Sequence, residues 1–414
     1  MRRILHLLSQ RPKLTGSGVT LDELLPCLAP EFEQAALVGV PHGSADRPVG
    51  IPEEHVRRVT FARERDGDAP GADVSHRVVG MSDVMPYPTR TWRSMTRTEL
   101  ANYRAVLGDA VARAVDEFRP DLLHAHHAWV LAATARERCR DVPLVVHGHG
   151  SDLRQFELVP EVGAEVARSL ARADAVVALH RQQAEHYAEV LGVPRERVHV
   201  VGAGFAEERF APDGRELLRG QRVVFVGKTS AAKGVDALLL AFRRLRERRP
   251  RAQLVLVGSG SGEEGEELTR RARGEPGVLV AGRLDDADLV RALRSAAVLV
   301  LPSLWEGLPL VLLEGAAAGA LLVATDLPGV VHELAPTLGE GLVVVRGPRS
   351  EGGERCAPGE LEPFAERLSS ALDEALRRAQ RGIAPDREAV EAFTWPAVAR
   401  RVAAVWEGLL APRR

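Results

Sequence analysis

The sequence predicts an α/β protein built from two Rossmann-like domains, with parallel sheets facing each other across a cleft. Apolar runs of strand length alternate with helical patterns through nearly all 414 residues, as in parallel sheets covered on both faces. The alternation comes in two series. Between them, over 202–220, periodicity lapses into Gly, Pro and charge. A chain of this length can bury two separate cores. The expected domains are 1–205 and 220–385, followed by a closing helix at 393–410.

In the first series the strands are predicted at 3–8, 35–40, 56–62, 121–126, 143–147, 175–179 and 197–201. Helices are predicted near 98–118, 128–140, 162–172 and 181–191. The second series has strands near 222–227, 253–257, 278–281, 298–301, 321–324 and 342–345, with helices between them. Stretches 63–71 and 346–359 are polar, rich in turn formers, and read as loops. The last helix is amphipathic and started by Thr394 and Pro396.

Composition narrows the function class. Apolar content of 45% and charged content of 27% are ordinary for a soluble globular protein. A net charge of −2 argues against nucleic acid as the main partner. Cys27, Cys139 and Cys356 form neither a disulfide framework nor a metal motif, so a reducing cytoplasm is expected. The start, Met1-Arg2-Arg3, mimics a signal peptide, but the apolar run after it is short and interrupted by His6. No segment reaches the ~20 apolar residues of a membrane span. Peripheral membrane contact stays open.

Several strand ends carry candidate chemistry in the first half. The first strand is expected to lead directly into Leu14-Thr15-Gly16-Ser17-Gly18, where glycines let a ligand approach the backbone at a helix start. A plain tight turn explains Gly16 and Gly18 equally well. His124 and His126 share one strand face by the period of two, and His127 is expected to point away. Zinc would need another ligand at suitable spacing, and none is evident nearby in the sequence. Substrate contact and local hydrogen bonding both remain open for this pair. A buried strand then breaks at His149-Gly-Ser-Asp152, placing an imidazole and a carboxylate at the carboxyl end of a sheet, where open α/β folds bind ligands. Asp152 also suits a helix N-cap.

In the second half, Gly227-Lys228 follows the first strand and Lys233 opens the next helix, so two ammonium groups can converge on a diphosphate. Gly258-Ser-Gly260-Ser-Gly262 lacks the spacing of a dinucleotide fingerprint. Next, a strand at 298–301 stops at Pro302, and a helical pattern resumes with Pro309 at its expected first position. The loop between them delivers Glu306, and Glu314 rides the helix five residues after Pro309, a rise of roughly 7.5 Å. Backbone N–H groups of Gly307 and Leu308, with the helix dipole, make an anion seat. This arrangement suits a diphosphate flanked by hydroxyls, which describes a nucleotide sugar.

Glu306 and Glu314, spaced Glu-x7-Glu around Glu-Gly-Leu-Pro, resemble the signature of retaining glycosyltransferase family 4, which has the GT-B fold. The likeness is strong over 222–333 and looser over 1–220. It implies a closing helix that crosses back onto the first domain. It further implies Lys228 and Lys233 on the diphosphate, Glu314 on the ribose, Glu306 on the sugar and His149 beside the reacting carbon. Gly16 and Gly18 would lie near the diphosphate. The backbone of Arg283 and Leu284, after Gly282, would read the base, with Arg283 either stacked on it or turned to solvent. His124, His126 and Asp152 would lie on the acceptor side. The implied donor is a nucleotide sugar, UDP-linked or GDP-mannose, and the acceptor a glycan, a lipid-linked sugar or a small molecule. No cofactor and no metal are expected. The chain departs from the family at Lys228, usually arginine, at His180, often serine, and at 202–210.

Overall fold

The computed structural model describes residues 1–63, 71–82, 85–210 and 220–411. Residues 64–70 of the first expected loop and 211–219 of the expected junction lie outside this set. The chain divides into two compact units, residues 1–203 with the C-terminal helix, and residues 204–394.

The first unit holds a seven-stranded parallel sheet of β1 (Arg2–Leu8), β2 (Phe32–Pro41), β3 (Val56–Phe61), β4 (Leu122–His126), β5 (Leu144–His147), β6 (Ala175–Ala178) and β7 (Val198–Val200). Its order is β3-β2-β1-β4-β5-β6-β7. The second unit holds β8 (Arg222–Val226), β9 (Gln253–Val257), β10 (Val278–Gly282), β11 (Val298–Leu301), β12 (Leu321–Thr325) and β13 (Leu342–Val345), ordered β10-β9-β8-β11-β12-β13. Strand order therefore reverses between β1 and β4, and again between β8 and β11. Ligand crevices of open α/β sheets form at such switch points, beyond the carboxyl ends of the strands. The stretch 346–359, expected as a loop, contains an antiparallel hairpin, β14 (Ser350–Glu351) with β15 (Arg355–Cys356), turning at Gly352-Gly353.

Helices of the first unit are α1 (Gly16–Leu28), α2 (Arg97–Phe118), α3 (Val130–Arg138), α4 (Ser151–Leu158), α5 (Pro160–Leu170) and α6 (Arg181–Leu191). Helix α2 starts in a capping box, with the hydroxyl of Thr96 accepting from Glu99 N and the Glu99 carboxylate accepting from Thr96 N. At α6, His180 caps the helix by accepting from Gln183 N at 3.1 Å, the work a serine would do there. Strand β1 ends at Leu8, well before Leu14, so the expected direct passage into the glycines is corrected. Residues 9–15 form a loop, and Gly16 and Gly18 lie in the first turn of α1. Thr15 caps that turn, its hydroxyl accepting from Gly18 N at 3.1 Å.

The second unit adds α7 (Glu207–Phe210), α8 (Val235–Arg248), α9 (Gly262–Gly274), α10 (Asp286–Arg294), α11 (Leu310–Ala317), α12 (Ala335–Leu338), α13 (Leu361–Gln380) and α14 (Arg387–Glu391). The closing helix, α15 (Trp395–Leu410), packs on α1 in the first unit, and Trp406 meets Phe32 edge-to-face at 5.1 Å. Each unit has its own core. Leu7, Leu37, Phe61, Tyr103 and Val146 are buried in the first, and Phe225, Phe242, Val300, Phe364 and Leu372 in the second. A buried side chain of this size contributes roughly 1.5–3 kcal/mol. No helix among the described residues is long and apolar enough to cross a membrane.

Candidate active site

In the second unit the loops after β8 and β11 are locked together through backbone. A short turn, Ala231–Lys233, ends at Gly234 with φ +68. A Cβ at Gly234 would stand 2.1 Å from the Pro302 carbonyl oxygen, so only glycine lets the two loops touch. Leu304 N donates to Ala232 O at 2.9 Å across the same seam. The seam brings Lys233 Nζ to 2.5 Å from Glu306 Oε1, and Ser303 donates to that oxygen at 2.8 Å. Ser303 is fully buried, whereas Lys233 and Glu306 keep 27% and 17% of their side chains exposed. Lys228 lies in the loop between β8 and that turn and is exposed. Desolvation, then the charge of Lys233, holds the Lys228 ammonium below the usual lysine value.

Helix α11 begins at Leu310. Pro309 is its N-cap, in an extended conformation with ψ 100, and not its first helical residue. No side chain caps this end, so the positive pole beside Gly307 and Leu308 is left for an anion. One turn in, burial pushes the Glu314 carboxyl up to about 7, with Arg209 pulling it down and Asp286 adding to the rise. Arg209, on α7, is itself paired with Asp286 at 2.9 Å. At the end of β10, Gly282 O accepts from Gly258 N at 2.7 Å; Arg283 is exposed and Leu284 half-buried.

The first unit stacks its histidines. His126 on β4 is register partner to His147 on β5, and His6 on β1 to His124. His124 and His126 share one face as expected, their rings 4.9 Å apart and 3° from parallel. His147 lies 5.5 Å from His126 and 4.6 Å from His149. His127 does not point away: it follows the strand with φ +77, which turns its ring to 4.8 Å from His149. Strand pairing supplies a neighbouring imidazole that the local sequence spacing does not. Ring nitrogens of His126, His147 and His149 lie within 4.8 Å of one another. His6, His124, His126 and His147 are almost fully buried, and His149 is the half-buried end of the stack. Burial holds His6 down at about 4 and His147 at about 3. Burial, then neighbouring imidazoles, holds His124, His126 and His149 well below the ordinary value. All are neutral at neutral pH.

Asp152 is fully buried and is not the N-cap of α4; Gly150 is. Its Oδ2 accepts from Ala128 N at 2.8 Å and His149 N at 3.4 Å, and its Oδ1 from Leu153 N at 3.1 Å and Tyr187 OH at 2.5 Å. The carboxylate therefore ties the loop after β4 to the turn that carries His149. Gly148 makes room for this, since a Cβ there would stand 2.1 Å from the Tyr187 ring. Gly18 lets the loop at 11–13 pass close by, and Gly16 is exposed.

The structure thus brings Lys228, Lys233 and Glu306 into one cluster, puts Glu314 on the adjoining helix, and leaves His149 as the accessible imidazole of its turn. His124 and Asp152 are interior supports. Ser303, Arg209, His147, His6 and Tyr187 were missed. Ser303 was flagged only by its place beside the Pro302 strand stop, His6 only as a histidine inside a strand, His147 only as one at a strand end, and Arg209 and Tyr187 by nothing local.

Comparison with known proteins matches residues 220–374 to the model described as glycosyl transferases group 1, and residues 53–209 to that described as glycosyltransferase family 4. The chain is 27% identical over 299 residues to glycogen synthase of Mycobacterium tuberculosis, covering 70% of this chain and 69% of that protein. Its fold resembles sucrose-phosphate synthase of Thermosynechococcus elongatus (TM-score 0.69, 18% identity), over 99% of this chain and 100% of that one. It also resembles HepE of Anabaena in complex with UDP-glucose (TM-score 0.63, 17% identity), over 99% and 100% of the two chains.

Proposed function

The chain belongs to the group 1 glycosyltransferases of the GT-B fold, and we propose that it is a retaining hexosyltransferase acting from a UDP-sugar on a hydroxyl acceptor. The observation that carries this is the cluster of Lys228, Lys233, Ser303 and Glu306, with Glu314 one turn into the helix that follows. The lysines take the diphosphate and stabilise the charge growing on it as the glycosidic bond breaks. Lys233 then exchanges Glu306 for a phosphate oxygen, and Glu306 turns its carboxylate to a sugar hydroxyl. Glu314 accepts from the ribose hydroxyls, and the backbone after Gly282 reads the base.

The first unit supplies the acceptor side. His149 offers a neutral imidazole to the sugar, held by the turn that Asp152 anchors. The acceptor oxygen attacks on the face the phosphate is leaving, and the departing phosphate takes its proton, so no enzyme nucleophile is needed. With two ammonium groups on the diphosphate, transfer requires no metal. UDP is favoured because a protein of like fold, HepE, is in complex with UDP-glucose; GDP-mannose is the alternative donor. Acceptors of the glycan, lipid-linked or small-molecule kind all fit this chemistry.

A thermal-shift panel of nucleotide sugars, followed by magnetic resonance of the product's anomeric centre, tests the proposal. It expects stabilisation by one donor and a product of unchanged anomeric configuration. Inversion, or no donor consumption with any acceptor, would overturn it.

A further inference from the structure

We propose that His126, His147 and His149 form a binding site for a divalent cation of the zinc class, and that its occupancy silences transfer. The second half of this rests on the reading of His149 as the sugar-side imidazole; the first half stands on geometry alone.

Zinc–imidazole bonds are about 2.0–2.1 Å, so two ligands of a tetrahedral site stand about 3.3–3.4 Å apart. His126 Nδ1 and His149 Nε2 are already 3.3 Å apart. The nearest ring nitrogen of His147 completes a triangle no wider than 4.8 Å, and drawing it in is a shift of roughly 1.5 Å. With the backbones of His126 and His147 held as register partners in the sheet, that closure is made by rotation of the His147 ring and by His149, on the turn after β5. Chemistry in the interior supports a ligand here. His147 Nε2, the nitrogen not engaged with His124, is buried without a hydrogen-bond partner among the described residues, on a side chain 0% exposed. Native interiors rarely leave such atoms unmatched. His127 Nε2, on a side chain 4% exposed whose ring lies 4.8 Å from that of His149, likewise has no hydrogen-bond partner among the described residues, while its Nδ1 lies 4.0 Å from Asp152 Oδ2.

The remaining nitrogen of His147 meets His124 Nε2 at 3.3 Å, the kind of contact that orients an imidazole ligand. An all-imidazole set selects zinc, copper, nickel or cobalt over magnesium and calcium, which prefer oxygen. Three protein ligands leave a fourth position for water, on the half-exposed side of His149. A cation held there fixes His149 in the stack and takes its imidazole from the sugar. Removal of the cation releases it.

The test uses the full chain after chelator treatment. Zinc chloride is titrated by calorimetry against a competing chromophoric chelator, and cobalt(II) is added separately for its tetrahedral absorption bands. One equivalent of zinc should bind, with affinity falling at least tenfold in His149→Ala and in His147→Gln and unchanged in His332→Gln, a surface control. Because His147→Gln alters the core, His149→Ala, on the turn, is the deciding variant. No stoichiometric binding by folded wild type, or full affinity in His149→Ala, would overturn the site. Transfer should fall as zinc reaches one equivalent and return with chelator. Binding without loss of transfer would overturn the silencing. Absence of transfer under every condition would overturn the proposed activity instead, leaving the binding result intact.

Discussion

Lys233 and Glu306, 73 positions apart in the chain, are joined by an ion pair of 2.5 Å whose carboxylate is also held by Ser303. The two residues assigned to the diphosphate and to the sugar therefore neutralise one another, and donor binding must exchange that pair for contacts with the ligand. Lys233→Ala should weaken nucleoside diphosphate and intact donor alike, because a charge-assisted hydrogen bond to a partly buried phosphate contributes roughly 1.5–3 kcal/mol. Glu306→Gln should do the opposite to the nucleoside diphosphate, binding it equally or more tightly with Lys233 released, while transfer collapses. Calorimetry with the nucleoside diphosphate and turnover with donor check both. Parallel losses in the two variants would show that the roles are wrongly divided.

Glu314 makes nucleotide binding depend on pH. Its carboxyl is raised from 4.5 to about 7, so the folded chain holds a proton that the unfolded chain releases between those values. Stability from this group is therefore greatest at low pH and declines as pH rises through that window. At pH 8, Glu314→Gln should be more stable than wild type by roughly 1–2 kcal/mol, after discounting the shift for partial exposure; near pH 4.5 the two should match. Ribose hydroxyls donate to the ionised form. Nucleotide binding should tighten from pH 6 to 8 and release a proton, seen as a buffer-dependent enthalpy in calorimetry.

The histidine stack sets the acid limit of the first unit. His6 and His147 titrate at about 4 and about 3 when folded, against 6.5 when free. The unfolded state binds more protons below pH 6.5, so stability is whole above that value and falls as pH drops towards 4. Each histidine removes about 1.4 kcal/mol per pH unit. Four of the five tryptophans, Trp92, Trp129, Trp395 and Trp406, belong to this unit, so fluorescence follows it. Wild type should lose midpoint temperature steeply from pH 6.5 to 5, and His6→Gln should flatten the slope by about one proton. A slope unchanged in the variant would contradict the assignment.

Gly148 should tolerate no side chain. The Cβ of alanine would fall within the Tyr187 ring, which is fully buried and bonded to Asp152. Overpacking here and loss of that bond should cost about 2–4 kcal/mol in Gly148→Ala, against about 1–2 kcal/mol for Tyr187→Phe. Thermal unfolding followed by fluorescence measures both. A wild-type midpoint in Gly148→Ala would refute the packing argument.

What the sequence determined by itself was periodic or local. Alternation of apolar runs located the strands of both sheets, and β9, β11 and β13 fall where the runs put them. Pro302 and Pro309 bracketed the loop bearing Glu306, and the Glu-x7-Glu spacing put Glu314 on the following helix. These signals lie within a few residues of their effects. The tertiary structure decided the rest. Strand order placed β1 beside β4 and β8 beside β11, bringing His6 to His124 and the Lys233 turn to the Pro302 loop. Register set His126 against His147, and a left-handed residue after β4 turned His127 back towards His149. Asp152 looked like a cap or an acceptor contact, but Ala128 and Tyr187, distant in the chain, make it a buried tie. Pairing between distant segments depends on which strands become neighbours. That choice is made by the whole hydrophobic surface to be buried, and no short window of residues contains it.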